Sequence, residues 1–397
     1  MHSNSEQFVE FQEIIGKLKH LRRTGWVMRN VPCAETVASH SWRMALMAIQ
    51  KESELSALNV DTNKVIEMCL LHDVSEAIVG DIVPEEHQVT NKKISKAEKK
   101  ELEINAIRTL SEKYNFPKLQ NLFEEYEEQK TPEAVIVKNL DKLDMLLQAY
   151  EYLQQYPEIQ GLNEFMEYNE KDITLPIFKE ELAEIKSRQY FANVTKNDFI
   201  DFQLLAGKLK HLERSGPKMY EIKDCETVAS HCFRTAIMAL FLEKELTKVN
   251  IDTSKVVRYA LVHDMGEAII GDIVPEKWQK GNRISKEEKH KREVEAILKI
   301  SKDFNMPFIW QSFDDIEQRK TIESSLAKDL EIFESIQQAY EYIKIYPEKA
   351  ILREYIPFHK PRIKAPFIQD IIKEVEVKQN KFLTSRNFPT FYKEGGR

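Results

Sequence analysis

The chain is poor in several residue types that mark particular classes of protein. It contains 11 glycines in 397 residues. Because the tight turns between strands draw heavily on glycine, this scarcity favours a mostly helical fold. The four cysteines include no Cys-x-x-Cys pair, which argues against a disulfide framework or a thiolate zinc site and indicates a reducing compartment. We therefore expect a cytoplasmic location, with the nucleus as the alternative.

Long apolar runs and an excess of positive charge are also missing. No apolar stretch approaches the roughly 20 residues of a membrane-spanning helix. The formal net charge is −7, which argues against a general nucleic-acid-binding surface. With 42% hydrophobic and 31% charged residues, the composition is that of a globular protein. We expect neither a membrane nor a nucleic acid as partner.

The sequence is an internal duplication. The segment FQEIIGKLKHLRRTG at 11–25 returns as FQLLAGKLKHLERSG at 202–216, an offset of 191 residues that falls to 190 further along. This period is far longer than that of solenoid repeats, so each copy should fold around its own core. We place the two domains at 1–192 and 193–397, with a linker around 189–197.

The periodicity within each copy is helical. Apolar residues between positions 11 and 18 recur three and four apart, which is the spacing of one helix face. Asp61 is predicted to cap a helix over 65–75. Two further helices are predicted to carry His40 and Asp141. We therefore predict an all-α fold of two tandem helical bundles.

Imidazole and carboxylate groups in the first copy form a candidate metal site. His72 and Asp73 end an apolar helical run, and His40 and Asp141 lie on other predicted helices. Such ligands suit Mn, Fe, Co, Zn or Mg. Four protein ligands leave coordination positions open for water or substrate oxygens. A His-Asp dipeptide often occurs by chance, but the dipeptide and the earlier histidine recur in the second copy at an offset of 191 residues, which favours function.

Two further carboxylates follow the His-Asp pair, and a basic segment precedes it. Glu76 is predicted to lie one turn past His72, and Asp81 follows a glycine. Two carboxylates beside a dication suit general acid/base chemistry on a phosphate ester, although a cap or a salt bridge is the alternative. The basic segment 17–29 could bind a phosphate, and its Trp26 a sugar or base. It could equally be a solvated helix face.

Four motifs in order now carry a resemblance: RTGWVMRNV, ETVASHSWRMA, HDVSEAIVGDIVP and LDKLDMLLQAYEY. Together they resemble the HD superfamily of metal-dependent phosphohydrolases, and more narrowly the HD-domain 5′-deoxynucleotidases. The resemblance implies two all-helical HD domains and a divalent ion, Mn, Co or Mg, with Fe, Ni and Zn as alternatives. It also implies hydrolysis of deoxynucleoside 5′-monophosphates to deoxynucleosides and phosphate.

The resemblance also assigns roles in the first copy. Glu76 would handle the attacking water and Asp81 would assist proton transfer. Arg23 or Arg29 would contact the phosphate, and Trp26 would lie beside the sugar, where its bulk disfavours a ribose 2′-hydroxyl. The implied metal ligands are His40, His72, Asp73 and Asp141.

The second copy keeps most of this set but departs from it in places. Glu331 stands where the first copy has Asp141, and it is one methylene longer. Pro217 and Tyr220 replace the tryptophan and the second arginine. We expect this copy to bind metal, with Glu331 as fourth ligand, but to have lost or changed its substrate pocket. The retained residues are His231, His263, Asp264, Glu267 and Asp272.

Two other functions remain open from the sequence. One is another HD nucleotide hydrolase, a triphosphohydrolase or a phosphodiesterase, which would need a larger basic pocket. The other is a nucleotide-binding regulatory module, a role that suits the second copy better than the first. Since members of this type commonly pair as dimers, the resemblance implies that the tandem chain forms an intramolecular pseudo-dimer.

Overall fold

A computed structural model describes residues 2–83, 88, 93–159, 161–190, 196–276, 279 and 283–390. Over these ranges the secondary structure consists of α-helices, short 3₁₀ segments and two isolated β-bridges, Arg22–Thr36 and Glu213–Thr227. The predicted all-α fold is confirmed. None of the described helices combines the length and the apolar character needed to cross a membrane.

The helices of the two repeats follow the same order. Those of the first repeat are α1 His2–Leu18, α2 Thr24–Val27, α3 Val37–Gln50, α4 Glu52–Ala57, α5 Thr62–Leu71, α6 Glu76–Val79, α7 Lys96–Lys113, α8 Pro117–Glu128, α9 Pro132–Gln155, α10 Leu162–Asn169 and α11 Lys179–Tyr190. Those of the second repeat are α12 Asp198–Gly207, α13 Ser215–Met219, α14 Val228–Lys248, α15 Thr253–Val262, α16 Glu267–Ile270, α17 Lys286–Asp303, α18 Pro307–Gln318, α19 Ile322–Ile345, α20 Tyr355–His359 and α21 Pro366–Ser385.

The chain divides into two compact units that exchange the opening helices of the repeats. The first unit comprises Leu18–Leu212 and Lys299–Met306; the second comprises Met1–Lys17, Glu213–Leu298 and Pro307–Arg397. Almost all of α1 therefore belongs to the second unit, whereas α12 belongs to the first. The domain boundary predicted between residues 192 and 193 lies outside the described residues.

In the first unit, α3, α5 and α9 pack against one another and form the core. Local sequence begins each helix. Thr36 and Ser39 form a capping box at the start of α3, and Thr131 caps α9 ahead of its proline. The residues of α3 from Val37 to Ile49 are all buried. Polar groups on these helices therefore lie inside the protein and need partners there.

The helix predicted over 65–75 is interrupted. Asp61 caps it as expected, but α5 ends at Leu71 and a turn precedes α6. At this end the ring of His72 donates from Nδ1 to the Cys69 carbonyl over 2.9 Å. That bond satisfies one of the carbonyl groups that the end of a helix leaves without a partner. The break turns His72 and Glu76 toward the interior at the junction of two helices.

The second unit is built in the same way from α14, α15 and α19, which also pack against one another. Thr227, Asp252 and Thr321 cap these helices with their side chains. Phe8 of α1 lies 5.5 Å from Phe241 between ring centroids, in an edge-to-face arrangement. The helix that opens the chain is therefore part of this core.

Candidate metal centres

The two histidines predicted as ligands in the first unit, His40 and His72, each have one ring nitrogen without a hydrogen-bond partner among the described residues. His40 Nδ1 lies 2.7 Å from Asp144 Oδ2, and His72 Nδ1 donates to a backbone carbonyl. The Nε2 atoms are buried, and among the described residues neither makes a hydrogen bond. An imidazole held at Nδ1 with Nε2 left available is the usual arrangement of a metal-ligating histidine.

Carboxylates face these two nitrogen atoms. Asp141 Oδ1 is 3.4 Å from His40 Nε2, and Asp73 Oδ2 is 3.2 Å from His72 Nε2. Ligand atoms of His40, His72 and Asp141 all lie within 4.8 Å of one another. Buried nitrogen and carboxylate oxygen atoms converging in this way fit a divalent cation. The structure thus brings together three of the four predicted ligands of the first copy, and the fourth, Asp73, lies outside this group but next to His72.

Asp144, which the sequence reasoning missed, orients His40. Its carboxylate also accepts hydrogen bonds from Arg43 Nε and Lys210 Nζ. Burial opposes ionisation of Asp144, but Arg43 and Lys210 outweigh it and hold its pKa well below the usual range. The sequence did contain a signal for this residue. Both repeats carry an acidic residue three positions after the predicted fourth ligand: Asp144 in the first copy and Glu334 in the second.

Glu76 lies buried beside the candidate ligands. Its Oε2 atom makes no hydrogen bond within the described part of the chain. Burial, followed by the negative charges of Asp73 and Asp81, raises the pKa of Glu76 well above its usual value. A carboxyl group with a raised pKa is suited to exchanging a proton near neutral pH.

Asp81 has a structural partner. Its Oδ2 atom accepts a hydrogen bond of 2.6 Å from the Thr24 backbone N–H, and the Thr24 hydroxyl donates to the Asp81 carbonyl over 2.7 Å. The carboxylate therefore fastens the start of α2, next to Arg23. This contact corresponds to the cap that the sequence left open as an alternative to proton transfer.

The three predicted substrate-binding residues occupy different surroundings. Arg23 Nη1 is 3.1 Å from Asp73 Oδ2, beside the ligand cluster. Arg29 donates to the Gly25 carbonyl over 2.9 Å and stacks on Phe165, 4.6 Å from the ring centroid. Arg23 thus contacts a candidate metal ligand.

Trp26 is almost entirely buried, with 2% of its surface exposed. Its indole N–H donates to Glu35 Oε1 over 2.9 Å. Its ring packs edge-on against Tyr152 and Phe165 at centroid distances of 5.3 and 4.8 Å. The side chain is therefore part of the packing near Arg23 in the chain and offers little surface to a ligand.

The second unit repeats the histidine arrangement. His263 Nδ1 donates to the Ala260 carbonyl over 2.8 Å, and Glu334 holds Nδ1 of His231. Both Nε2 atoms are buried and have no hydrogen-bond partner in the described ranges. Asp264 Oδ2 lies 3.3 Å from His263 Nε2 and 4.0 Å from His231 Nε2. These three residues form the ligand group of the second unit, in which the carboxylate is the counterpart of Asp73 and not of Asp141.

Glu331, the fourth ligand predicted here, lies outside that group of three. Lys328 Nζ is 3.3 Å from one of its carboxylate oxygens and 3.0 Å from the other. Burial raises the pKa of Glu331, but Lys328 and the nearby His263 outweigh burial and lower it to about 2. The carboxylate is therefore ionised, and both of its oxygens are engaged by a lysine.

Three other features of the first unit recur in the second unit. Glu267 is buried, and burial together with Asp264 and Asp272 raises its pKa well above the usual value. Asp272 Oδ2 accepts from the Ser215 backbone N–H over 2.5 Å. Arg214, which matches Arg23 and which the sequence reasoning did not single out, lies 3.0 Å from Asp264 Oδ2.

A cavity of about 580 Å³ adjoins the ligand group of the second unit. This volume is within the range of small-molecule sites. Its walls combine carboxylates, cations and aromatic rings, and both Pro217 and Tyr220 lie on them. A pocket is therefore present here, with an altered lining. Lining residues beyond the ligand group include Arg214, Lys289, Lys328, Tyr355, Phe358 and Arg362.

Comparison with known families supports the resemblance. A family model described as an HD domain matches residues 15–180 and 206–364. The two matched segments contain both candidate metal centres. The resemblance inferred from the four sequence motifs is thereby confirmed.

The named relatives each match less than half of this chain, which is about the length of one repeat. The 5′-deoxynucleotidase HDDC2 of Dictyostelium discoideum is 39% identical over 191 residues, covering 45% of this chain and 97% of the relative. The human protein of the same name is 38% identical, covering 37% of this chain and 69% of its own length. A solved conserved hypothetical protein from Pyrococcus furiosus aligns at 33% identity and TM-score 0.38, covering 45% of this chain and 98% of that one.

Proposed function

Because the chain belongs to the HD domain family, we propose that it is a metal-dependent 5′-deoxynucleotidase and that its first unit performs the reaction. The observation that supports this proposal most directly is the pair of buried histidine Nε2 atoms. They face carboxylates and have no hydrogen-bond partner among the described residues. The substrate class comes from the named relatives, which are 5′-deoxynucleotidases. The reaction is hydrolysis of the 5′-phosphate ester of a deoxynucleoside monophosphate.

Four residues of the first unit would hold the metal, for which Mn, Co and Mg are the candidates. When bound, a divalent ion supplies an activated water and neutralises charge on the phosphate. The protein contributes ligand atoms on two helices and at the end of a third, all of which belong to its core. The ligands are His40, His72, Asp73 and Asp141.

Glu76 is the proton acceptor for the attacking water. It is buried next to Asp73, its Oε2 atom makes no hydrogen bond among the described residues, and burial raises its pKa. Arg23 contacts the phosphate, since its guanidinium already lies beside the ligand cluster and offers planar paired donors. Asp81 positions Arg23 through its bond to Thr24 and assists proton transfer only in this indirect way.

Lys142 adds a second cation to the phosphate site. It directly follows Asp141, and burial, together with the nearby positive charges of Lys138 and Arg23, lowers its pKa. The second repeat has Ile332 at this position. The cation at this position is therefore specific to the first unit.

A ligand-binding role for the second unit has one observation in its favour, the cavity of about 580 Å³ beside its histidines. Its lining offers arginine and lysine side chains to a phosphate and aromatic rings to a base, beside the carboxylates of the ligand group and its neighbours. Because both oxygens of Glu331 are engaged by Lys328, the second unit binds metal more weakly than the first. It serves as a support and a ligand-binding module rather than as a second catalyst.

The test is phosphate release from a panel of deoxy- and ribonucleoside monophosphates with Mn, Co or Mg added after chelator treatment. We expect release from deoxynucleotides, dependence on the added metal, and slower release from ribonucleotides. Release from deoxynucleoside triphosphates or cyclic nucleotides, but from none of the monophosphates, would contradict the assignment. Binding without any turnover would indicate the regulatory module.

A further inference from the structure

One lysine is fully buried against the network that orients His40. Lys210 belongs to the 3₁₀ segment Lys208–Lys210 that follows α12, and none of its side chain is exposed. Its ammonium contacts Glu35 Oε2 and lies 3.3 Å from Asp144 Oδ2. That Asp144 oxygen is also the one 2.7 Å from His40 Nδ1. The lysine therefore shares an acceptor atom with the histidine ring.

This lysine comes from the other sequence repeat. It lies in the GKLKHL motif that opens the second copy, where it corresponds to Lys19 of the first. Helix α12, just before it, packs against α3 and α9 of the first unit. The approach is so close that a side chain at Gly207 would come within 2.8 Å of Arg43 Nη1 and would also collide with Glu151.

Burying an ammonium group is costly unless its charge is paired, so a lysine at this depth has a specific role. Structural support alone would be served by an apolar side chain of similar length. Here the ammonium instead joins two buried carboxylates, Glu35 and Asp144. Groups that orient a ligating histidine in this way commonly contribute 10- to 100-fold to metal affinity or activity.

We propose that Lys210 is a positioning residue for the first metal centre: it fixes Asp144, and through Asp144 the ring of His40. The opening segment of the second repeat thus completes the site of the first repeat, and residues 1–192 alone lack part of it. The inference deepens the proposed function, since the site concerned is the proposed catalytic one.

The test compares Lys210→Met with Lys208→Met in the full chain. Lys208 lies in the same segment and is exposed. A His263→Asn background disables the second metal centre, and Co²⁺ binding is followed by visible absorption. We expect Lys210→Met to weaken binding about 10-fold or more while Lys208→Met leaves it unchanged. A folded Lys210→Met that binds Co²⁺ as Lys208→Met does would overturn the proposal.

Folding is checked in parallel by circular dichroism and thermal unfolding. If Lys210→Met does not fold, Lys210→Gln replaces it, since glutamine is polar but neutral and one bond shorter, so that it does not reproduce the ion pairs with Glu35 and Asp144. An intermediate loss of Co²⁺ affinity is then expected, and an affinity equal to that of the parent would refute the positioning role. Failure of the proposed function is a separate result, because Co²⁺ affinity is measured whether or not any nucleotide is hydrolysed.

Discussion

The two units differ most clearly in the carboxylate that α9 or α19 brings toward the histidines. In the first unit Lys138 contacts one oxygen of Asp141, and the other lies 3.4 Å from His40 Nε2. In the second unit Lys328 contacts both oxygens of Glu331. One additional methylene thus changes how a carboxylate is shared between a lysine and a metal centre. The two repeats therefore share the motif but differ in how its last carboxylate is engaged.

The units also differ beside their ligand groups. Lys142 of the first unit corresponds to Ile332 of the second, and carboxylate, cationic and aromatic side chains line the cavity of the second unit. Glu76 and Glu267, by contrast, are equally buried and carry similarly raised pKa values. The comparison therefore predicts that the same substitution will have unequal effects in the two units.

The largest inequality is expected for the buried glutamates. Glu76→Gln should lower kcat about 100-fold, because a general base contributes on that order, while metal binding persists. Glu267→Gln should leave kcat within a factor of about two, if the second unit does not catalyse. Steady-state phosphate release, with metal content measured on the same samples, checks both. Equal losses in the two variants would show that both units turn over.

Arginine substitutions come next. Arg23→Ala should raise KM about 10-fold or more, because a charge-assisted contact to phosphate is lost. Arg214→Ala is the matched control and should leave KM unchanged. The measurement is initial rate against deoxynucleotide concentration. A change confined to kcat would place Arg23 at the metal ligand Asp73 instead of at the substrate.

The capping aspartates give a smaller, structural effect. Asp81→Ala removes the acceptor for the Thr24 N–H and should lower the free energy of unfolding by about 1 kcal/mol, as for the loss of a helix cap. Asp272→Ala should behave alike, since Asp272 binds the Ser215 N–H. Urea unfolding checks both. If Asp81→Ala loses turnover without losing stability, Asp81 takes part directly in proton transfer.

The smallest effect concerns pH and the second unit. Burial, followed by the nearby charges of Arg362 and Arg214, lowers the pKa of His359 to about 3. Below about pH 6.5, the ordinary pKa of histidine, His359 binds a proton in the unfolded state but not in the folded state. The free energy of unfolding therefore falls as the pH falls. Asparagine stands at the equivalent position of the first repeat. Between pH 7 and pH 5, the free energy of unfolding of His359→Asn should therefore fall by about 1 kcal/mol less than that of the parent, allowing for partial exposure of the ring.

Urea unfolding at the two pH values measures this difference. His290→Asn serves as the control because His290 is exposed on α17. An equal loss of stability on acidification in the parent and in His359→Asn would contradict the burial of a neutral ring. It would also argue against the position of His359 in the lining of the cavity of the second unit.

The sequence predicted the features that depend on neighbouring residues. The cap at Asp61 and the helix start at Pro132 follow from local hydrogen bonding and backbone geometry, which short segments largely determine. The repeat predicted the paired histidines, because it returned them with their spacing intact. The end of α5 at Leu71 was not foreseen, since a bond from the His72 ring to a backbone carbonyl leaves no periodic signal.

Contacts between distant positions could not be predicted in this way. Asp144 and Lys210 are 66 residues apart and come from different repeats. Trp26 was assigned to the sugar by resemblance, but its burial depends on Tyr152 and Phe165, which approach it only in the folded chain. Periodicity shows which face of a helix is buried, and tertiary packing decides what that face meets.

The most direct test of the division between the units is deoxynucleotide hydrolysis by Asp141→Ala and Glu331→Ala in the full chain. Asp141→Ala should lower phosphate release about 100-fold or more, because a metal ligand of the catalytic unit is lost, whereas Glu331→Ala should change it less than about two-fold. If each variant instead loses about half of the activity, both units are catalysts and the proposed division is wrong.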